Sequence, residues 1–540
     1  MKKWMLALSA VFVAVAAGAA PNNKELKIGV SQEFDTFNPL ISSMVASTYI
    51  YRMVGRSLVN LDADSRWVPQ LATAIPSFEK GTAKFIEDKG VKKVQATWEI
   101  IAAAKWGDGK PVVCEDFLFA KKVAESPNVS VGDKETYAQV EKIDIDPANP
   151  KKCTFTYNKA RWDFNQLALF FPLPKHIEGP IFEKFGSAKE GYEKNSAFTR
   201  TPTNKGLYNG PYLISEVKLG DHVTLVPNPN FYGAKAKIER IIVKVIQNTS
   251  TLEANLRSGT VDMIGTLGLT LDQGLAFEKK IKAESLPYDI QFTPSITYEH
   301  IDLNLDDAIM KDVKVRKALL YAINRDELVK NLFEGKQPVA IHFTAPKDPW
   351  YTDDPAKIST YRFSRREAGK MLDEAGWKLN KSDGYRYKDN KKLTMQFMTT
   401  AGNKIREMVQ VYLQEQWKQV GIEITIKNEP ARVFFGDTTR ERKYGQMAMY
   451  AWMASPENVP RSTLHSSAVP TKDNGWSGQN YPGWKNKEAD AVIEQLETEF
   501  DSGKRKDLAA KLTKLYTDDV PVLPMYYRTD ISVIPKNLTG

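Results

Sequence analysis

From Ile238 to Ile264 the chain passes from one apolar run, through a helix-sized segment, into a second apolar run. Ile238, Ile241, Ile242, Val243 and Val245 form the first. Ser250 and Glu253 are spaced as a capping box for a helix that Gly259 ends, and Val261, Met263 and Ile264 read as a buried strand. A strand, a helix and a strand at that spacing predict a βαβ crossover. The alternation continues downstream. Met395 to Thr400 is a strand, and Ile405, Met408, Val409, Tyr412, Leu413 and Val420 line one face of a long helix that Gly421 ends. Ile422, Ile424 and Ile426 alternate as a strand, and Met447 to Pro460 reads as a strand running into a loop. Two helices, near Ala489–Phe500 and Lys504–Tyr516, precede a last strand, Val522–Tyr527. The fold class is α/β. At 540 residues the chain exceeds one ordinary core and divides into two or more domains.

Local punctuation is clearest from Asp312 to Gly335. Val313, Ala318, Leu319, Ala322 and Ile323 give one apolar face, and Leu328, Val329, Leu332 and Phe333 another, with a break at Asn324. Asn324 and Glu327 are placed as a capping box, and Gly335 stands where the second helix should stop. Ser364 and Glu367 repeat the pattern for a helix that ends at Gly376. Nearer the start, Leu26, Ile28 and Val30 alternate as a first strand, Asn38-Pro39 makes a turn, and Tyr49, Ile50, Met53 and Val54 mark a short helix. Trp98 to Trp106 reads as a strand closed by Gly107-Asp108-Gly109-Lys110-Pro111, with Glu115 and Asp116 in the first turn of the next helix. Val140, Ile143 and Ile145 pair with Phe155 and Tyr157 around Asp146-Pro147.

Several function classes can be set aside from composition. The first 19 residues, MKKWMLALSAVFVAVAAGA, have Lys2 and Lys3, an apolar run from Trp4 to Ala17 and then small residues, the pattern of a secretory signal cleaved after Ala19. That run is short for a membrane span of roughly 20 residues. With no cysteine near the cleavage point, the expected product is a periplasmic protein without a lipid anchor. Removing Lys2 and Lys3 lowers the formal charge of +9 to +7, and the lysines are spread along the chain, so no nucleic-acid partner is expected. Cys114 and Cys153 are the only cysteines; they can be a disulfide or two separate buried thiols. His176, His222, His300, His342 and His465 are isolated, without metal-ligand spacing. No G-x-S-x-G or phosphate-loop motif occurs. Neither a cofactor nor a metal site is expected, and catalysis is not.

The wording of the central stretch carries more than its periodicity. An extended IDLNL followed by D-V-K-V-R-K-A-L-x-x-A-I-N-R-D resembles the signature of the family 5 extracellular solute-binding proteins, the peptide and oligopeptide receptors of ABC importers. W-x-D-G-x-P followed by E-D-F, and the segment KGLYNGPYLISEVKLGDHVTLVPNPNFYG, resemble the same family. The resemblance runs from the first strand to Val533. It implies a two-lobed periplasmic binding protein fold of type II, in the large variant with an extra subdomain. Residues 20–60, 195–296 and 523–540 would form lobe I, 61–194 the extra subdomain and 297–522 lobe II, with hinge crossings near Pro294–Glu299 and Val522–Tyr527. Members usually continue for another strand beyond a P-K-x-L-x-G like Pro535–Gly540, so the tail is expected to be shortened and its packing weakened.

The implied function is capture of a peptide by lobe closure and delivery to an ABC permease of the inner membrane, by a monomer. The same fold holding an oligosaccharide, haem or metal chelate is the alternative; a secreted hydrolase or an adhesive or chaperone role are rivals. Trp452 corresponds to the family's W-x-x-D, whose carboxylate anchors a peptide's amino group, but here Ser455 stands in the aspartate's place, and Glu457 can supply the charge or be a solvated loop residue. Arg440 occupies a place from which some receptors reach a ligand carboxylate; a plain exposed arginine is the competing account. Tyr526 and Tyr527 are cleft walls or core, and Phe34 and Asn38 belong to the loop after the first strand, which lines the family's cleft.

Overall fold

The computed structural model describes residues 24–42, 44–63, 66–131, 134–430, 433–453, 457–474, 476 and 478–539; the signal sequence and Ser455 lie outside them. Ten strands form one sheet, in spatial order Glu423–Ile426, Thr394–Met398, Met447–Met453, Tyr288–Leu303, Val522–Pro535, Met263–Ile264, Glu25–Val30, Arg240–Val245, His222–Pro227 and Tyr212–Lys218. Glu25–Val30 is parallel to both Arg240–Val245 and Met263–Ile264 and lies between them. The crossover expected between Ile238 and Ile264 therefore steps over the first strand. Its helix, Leu252–Arg257, is not opened by a Ser250–Glu253 box. Asn248 Oδ1 accepts from the Ser250 N–H at 3.0 Å and caps a 3-10 turn, Thr249–Thr251, that leads into the helix, and no side chain caps the helix itself.

Two long antiparallel strands carry the chain between the halves of this sheet. Tyr288–Pro294 pairs with Thr529–Pro535, and Tyr298–Asp302 pairs with Val522–Tyr527; between Pro294 and Tyr298 the register shifts, so several residues oppose Arg528 alone. On one side of the break the second crossing strand meets Ile264 through Val533. On the other the first pairs with Met447–Met453 through Thr297–Leu303. Val522–Tyr527 therefore pair within the second half-sheet, whereas a boundary at residue 523 would give nearly all of them to the first lobe. The residue opposite the register shift is Arg528, which adjoins the span Val522–Tyr527.

Glu299, beside this break, is completely buried. Its carboxylate accepts from Arg406 Nε at 2.5 Å and from Arg528 Nε and Nη2 at 2.9 and 2.6 Å. Burial alone would raise this carboxyl; the two guanidiniums outweigh burial and hold it down to about 2.

The Asp312–Gly335 stretch forms helices Val313–Tyr321 and Arg325–Phe333. Asn324 Oδ1 accepts from the Glu327 N–H at 3.1 Å. The reciprocal half of the box is absent: the Asn324 N–H donates to Gln416 Oε1 at 2.7 Å, tying this break to the helix Lys404–Lys418, and the Glu327 carboxylate meets the Asn324 amide instead. The arginines of the motif join chain segments rather than acids. Arg316 donates to the carbonyls of Met310, Lys311, Asp519 and Val520, and Arg325 to those of Ala340, Tyr361 and Pro524. Each satisfies orphan carbonyls where helix ends and the second crossing strand meet.

A separate antiparallel sheet, in order Ala83–Asp88, Val91–Glu99, Asn149–Tyr157 and Val140–Asp146, builds the extra subdomain with the helix Cys114–Ala124. The strand expected to reach Trp106 stops at Glu99, because the chain turns after Ile101 and returns to pair Lys105 with Pro111. Cys114, at the helix start, is joined to Cys153 on the sheet. Asp116 accepts from the Val113 and Lys175 N–H groups and from Trp106 Nε1, capping the helix and fixing the Trp106 ring.

His342 is fully buried; its Nδ1 accepts from the Thr344 N–H at 3.1 Å and its Nε2–H donates to the Thr352 carbonyl at 2.8 Å. Burial lowers its pKa to about 4. The unfolded chain takes up this proton first as pH falls, so stability that is whole above pH 6.5 is lost between about 6.5 and 4, by about 3 kcal/mol. His342→Gln is expected to flatten the denaturation midpoint over that interval; an unchanged slope would exclude this residue as the cause.

Candidate ligand site

On the first crossing strand Tyr298, His300 and Asp302 share one face by the two-residue period, and Trp452 and Tyr450 stand directly opposite Tyr298 and His300 on the neighbouring strand. The His300 ring is fully buried between Tyr298, at 4.7 Å, and Trp452, at 6.3 Å and 13° from parallel. The Tyr450 hydroxyl donates to Asp302, which lies 3.3 Å from His300 Nε2. Tyr481 lies 5.9 Å from Trp452 at an interplanar angle of 25°, its carbonyl held by Arg442 Nε and the Tyr444 hydroxyl. Phe434 and Phe435 meet Tyr450 edge-on. Trp452 and Tyr481 stay half-buried, so this polar-cored aromatic cluster presents rings at its rim. Burial raises the Tyr481 hydroxyl, and the nearby Arg440 charge opposes that rise.

Of the expected site residues, Trp452 belongs to this cluster, and Arg440 acts on the Tyr481 hydroxyl through its charge. Arg440 is exposed, at the end of the turn Phe434–Thr439. The other described ones lie elsewhere. Glu457 donates its N–H to Asp348 Oδ2 at 2.9 Å and turns its carboxylate toward Arg505 Nη2, 3.8 Å away. Tyr526 and Tyr527, expected as cleft walls or core, are both buried: Tyr526 packs its ring edge-on against Phe333, and the Tyr527 hydroxyl donates to the carbonyls of His342 and Thr344. Phe34 is buried against Phe37. Asn38 borders a cavity of about 230 Å³ with Phe37, Leu40, Tyr51 and Phe171, but its amide is engaged by the Tyr192 and Ser196 hydroxyls and the Leu40 N–H. Phe34 and Asn38 thus fix the loop after the first strand instead of projecting from it.

The extra subdomain touches the C-terminal helices of the other half. Phe500 packs edge-on against Phe78 and Phe85, Lys159 Nζ lies 2.6 Å from Glu497 Oε2, and the Arg505 guanidinium covers the Trp162 ring at 3.9 Å. Glu497 also takes Arg461 at 2.5 Å, and its carboxyl is held below the usual range, the cost of burial being outweighed by Arg461 and Lys159.

His300 and Tyr481 were missed from sequence. Tyr298-x-His300-x-Asp302 was a usable signal, since polar and aromatic groups alternate on a strand buried on both faces. Tyr481 lies in a loop and only the fold brings it to Trp452.

Two half-sheets joined by two crossing strands, with an aromatic face beside the crossing, define a two-lobed binding protein. The family model "Bacterial extracellular solute-binding proteins, family 5 Middle" matches residues 69–473, and the chain belongs to that family. It is 26% identical to the oligopeptide-binding protein AppA of Bacillus subtilis, over 97% of this chain and 90% of AppA. The crystal structure of an oligopeptide-binding protein from Thermus thermophilus in complex with a pentapeptide superposes with a TM-score of 0.77 at 27% identity, covering 96% of this chain and 92% of that one. NikZ from Campylobacter jejuni, in complex with Ni(L-His), shares the fold at 22% identity, with a TM-score of 0.77 over 96% of this chain and 95% of NikZ. No helix among the described residues is long and apolar enough to cross a membrane.

Proposed function

We propose that this protein is the peptide receptor of an ABC importer: a periplasmic monomer, released by cleavage after Ala19, that closes its lobes over an intact peptide and passes it to the inner-membrane permease. The near full-length similarity to an oligopeptide-binding protein carries this reading. The chemistry of the crossing supports it. Peptide N–H and C=O groups can pair with strand edges, while side chains meet aromatic walls and water. Contacts with both lobes would favour the closed state over the open one.

Amino-terminal recognition is the point at which this chain departs from its family. Ser455 lacks the charge of the family's aspartate, and Glu457 already faces Arg505. We therefore expect peptides to bind with little dependence on a free amino group. Protein unfolded, stripped of ligand and refolded should melt at a higher temperature with a di- to hexapeptide pool, and by a similar amount with the same pool N-acetylated. A rise abolished by acetylation would restore Glu457 or another acid as the anchor. A rise with nickel–histidine but with neither pool would favour the chelate reading.

A further inference from the structure

The Trp162 side chain is buried outside its own subdomain. It follows the strand Asn149–Tyr157 on a turn held to the subdomain sheet: the Ala160 N–H donates to the Lys92 carbonyl at 2.7 Å, and the Tyr157 hydroxyl donates to the Phe164 carbonyl. Its ring, only 7% exposed, nevertheless packs among residues of the other half. It shares a core with Trp350, Trp484, Val492 and Tyr516, lies 5.9 Å from the Trp350 ring and is covered by the Arg505 guanidinium at 3.9 Å. The socket is fixed as well. Asp348 accepts from the N–H groups of Trp350 and Glu457, at 2.8 and 2.9 Å, and Arg505 donates to the Glu499 and Phe500 carbonyls just ahead of its helix, Ser502–Asp519. One detail sets this seam apart from a permanent core. Among the described residues, neither the Trp162 nor the Trp350 indole N–H has a hydrogen-bond partner, although both are buried.

We propose that Trp162 is a latch between the lobes: its ring enters the socket of Trp350 and Arg505 as the lobes close and holds them through residues that belong neither to the register break nor to the aromatic cluster. The inference rests on the lobe-closing receptor proposed above and adds a residue that sets its affinity without reaching the ligand. Parting the lobes would expose both indole rings and take Trp162 from beneath the Arg505 guanidinium, so burial and the cation–π contact favour closure. It would also return two unpaired N–H groups to water, and a buried donor without an acceptor forfeits that bond. The second effect offsets part of the first, so the latch favours closure while leaving it reversible. A ligand bound between the lobes adds its own contacts to the same closed state, and removing the latch must therefore weaken the ligand.

The test compares native protein, Trp162→Ala and Trp162→Phe, each unfolded, stripped of ligand, refolded and verified as folded by a thermal melt. The probe is the di- to hexapeptide pool. In calorimetric titration Trp162→Ala should need about tenfold more of the pool for half-saturation, with the same number of sites per chain. Trp162→Phe keeps a ring in the socket and removes one unpaired donor, and should stay within about threefold of native protein. By small-angle scattering, ligand-free Trp162→Ala should have a larger radius of gyration than ligand-free native protein. Unchanged half-saturation in Trp162→Ala, or equal radii, would overturn the latch and leave the peptide receptor in place. A pool that fails to bind native protein would remove the peptide reading, and the radii would then decide the latch alone.

Discussion

Glu299→Gln is expected to destabilise the folded protein by about 3–5 kcal/mol, the effect of removing one member of a buried ion cluster and leaving its partner charged. Arg406 is nearly buried, and besides Glu299 its guanidinium donates to the Thr400 hydroxyl at 3.0 Å. Glutamine keeps the shape but not the charge, so the Arg406 guanidinium would stay desolvated without a counter-ion. The location gives the loss a functional side. Glu299 sits one residue past the register break of the first crossing strand and holds Arg528, the residue at the break on the second. Urea denaturation checks the magnitude; a loss below about 1 kcal/mol would mean that water already compensates the cluster. Removing both charges, in Glu299→Gln/Arg406→Met, should recover part of the loss. The pH dependence has a definite sign. With the folded carboxyl held near 2, its contribution is whole above about pH 4.5 and disappears as pH falls toward 2.

Loss of the Cys114–Cys153 bond has an expected effect of similar size. The cysteines are 39 residues apart, and in the chain-entropy account closing a loop of that length removes about 4 kcal/mol of freedom from the unfolded chain. The bond joins the start of the Cys114–Ala124 helix to the central strands of the subdomain sheet, whose fully buried Phe117, Ala120 and Phe155 share one core. Cys114→Ala/Cys153→Ala should therefore lower the unfolding midpoint, and reduction of the native protein by dithiothreitol should reproduce the shift. Because this subdomain carries Phe78, Phe85, Lys159 and Trp162 to the C-terminal helices, its loosening should also weaken ligand affinity. Coincident unfolding of the oxidised and reduced proteins would contradict the assignment of this stability to the bond.

Local signals carried the fold a long way. Asn324 and Ser364 cap the helices they were expected to cap, since a cap is decided by a few residues. The errors came where tertiary pairing decides. The Trp98 strand ended at Glu99, where the chain turns back to pair Lys105 with Pro111. The same limit governed the site. Alternation along Val522–Tyr527 shows that Tyr526 and Tyr527 point to opposite faces, but not what covers each, and both proved buried. Phe34 and Asn38 are equally ambiguous, since an apolar ring and an amide serve a loop's interior as readily as a ligand. Trp452 and Arg440 are singled out only through the resemblance to the family, and the neighbours of Trp452, His300 and Tyr481, become visible once the strands are paired.

The most direct test of a peptide receptor is a calorimetric titration of unfolded, ligand-stripped and refolded protein with a defined pool of di- to hexapeptides. Saturable heat with one peptide bound per chain, and recovery of the peptides intact, are the expected results. Flat heats across the whole pool, or peptides returned cleaved, would contradict the peptide reading.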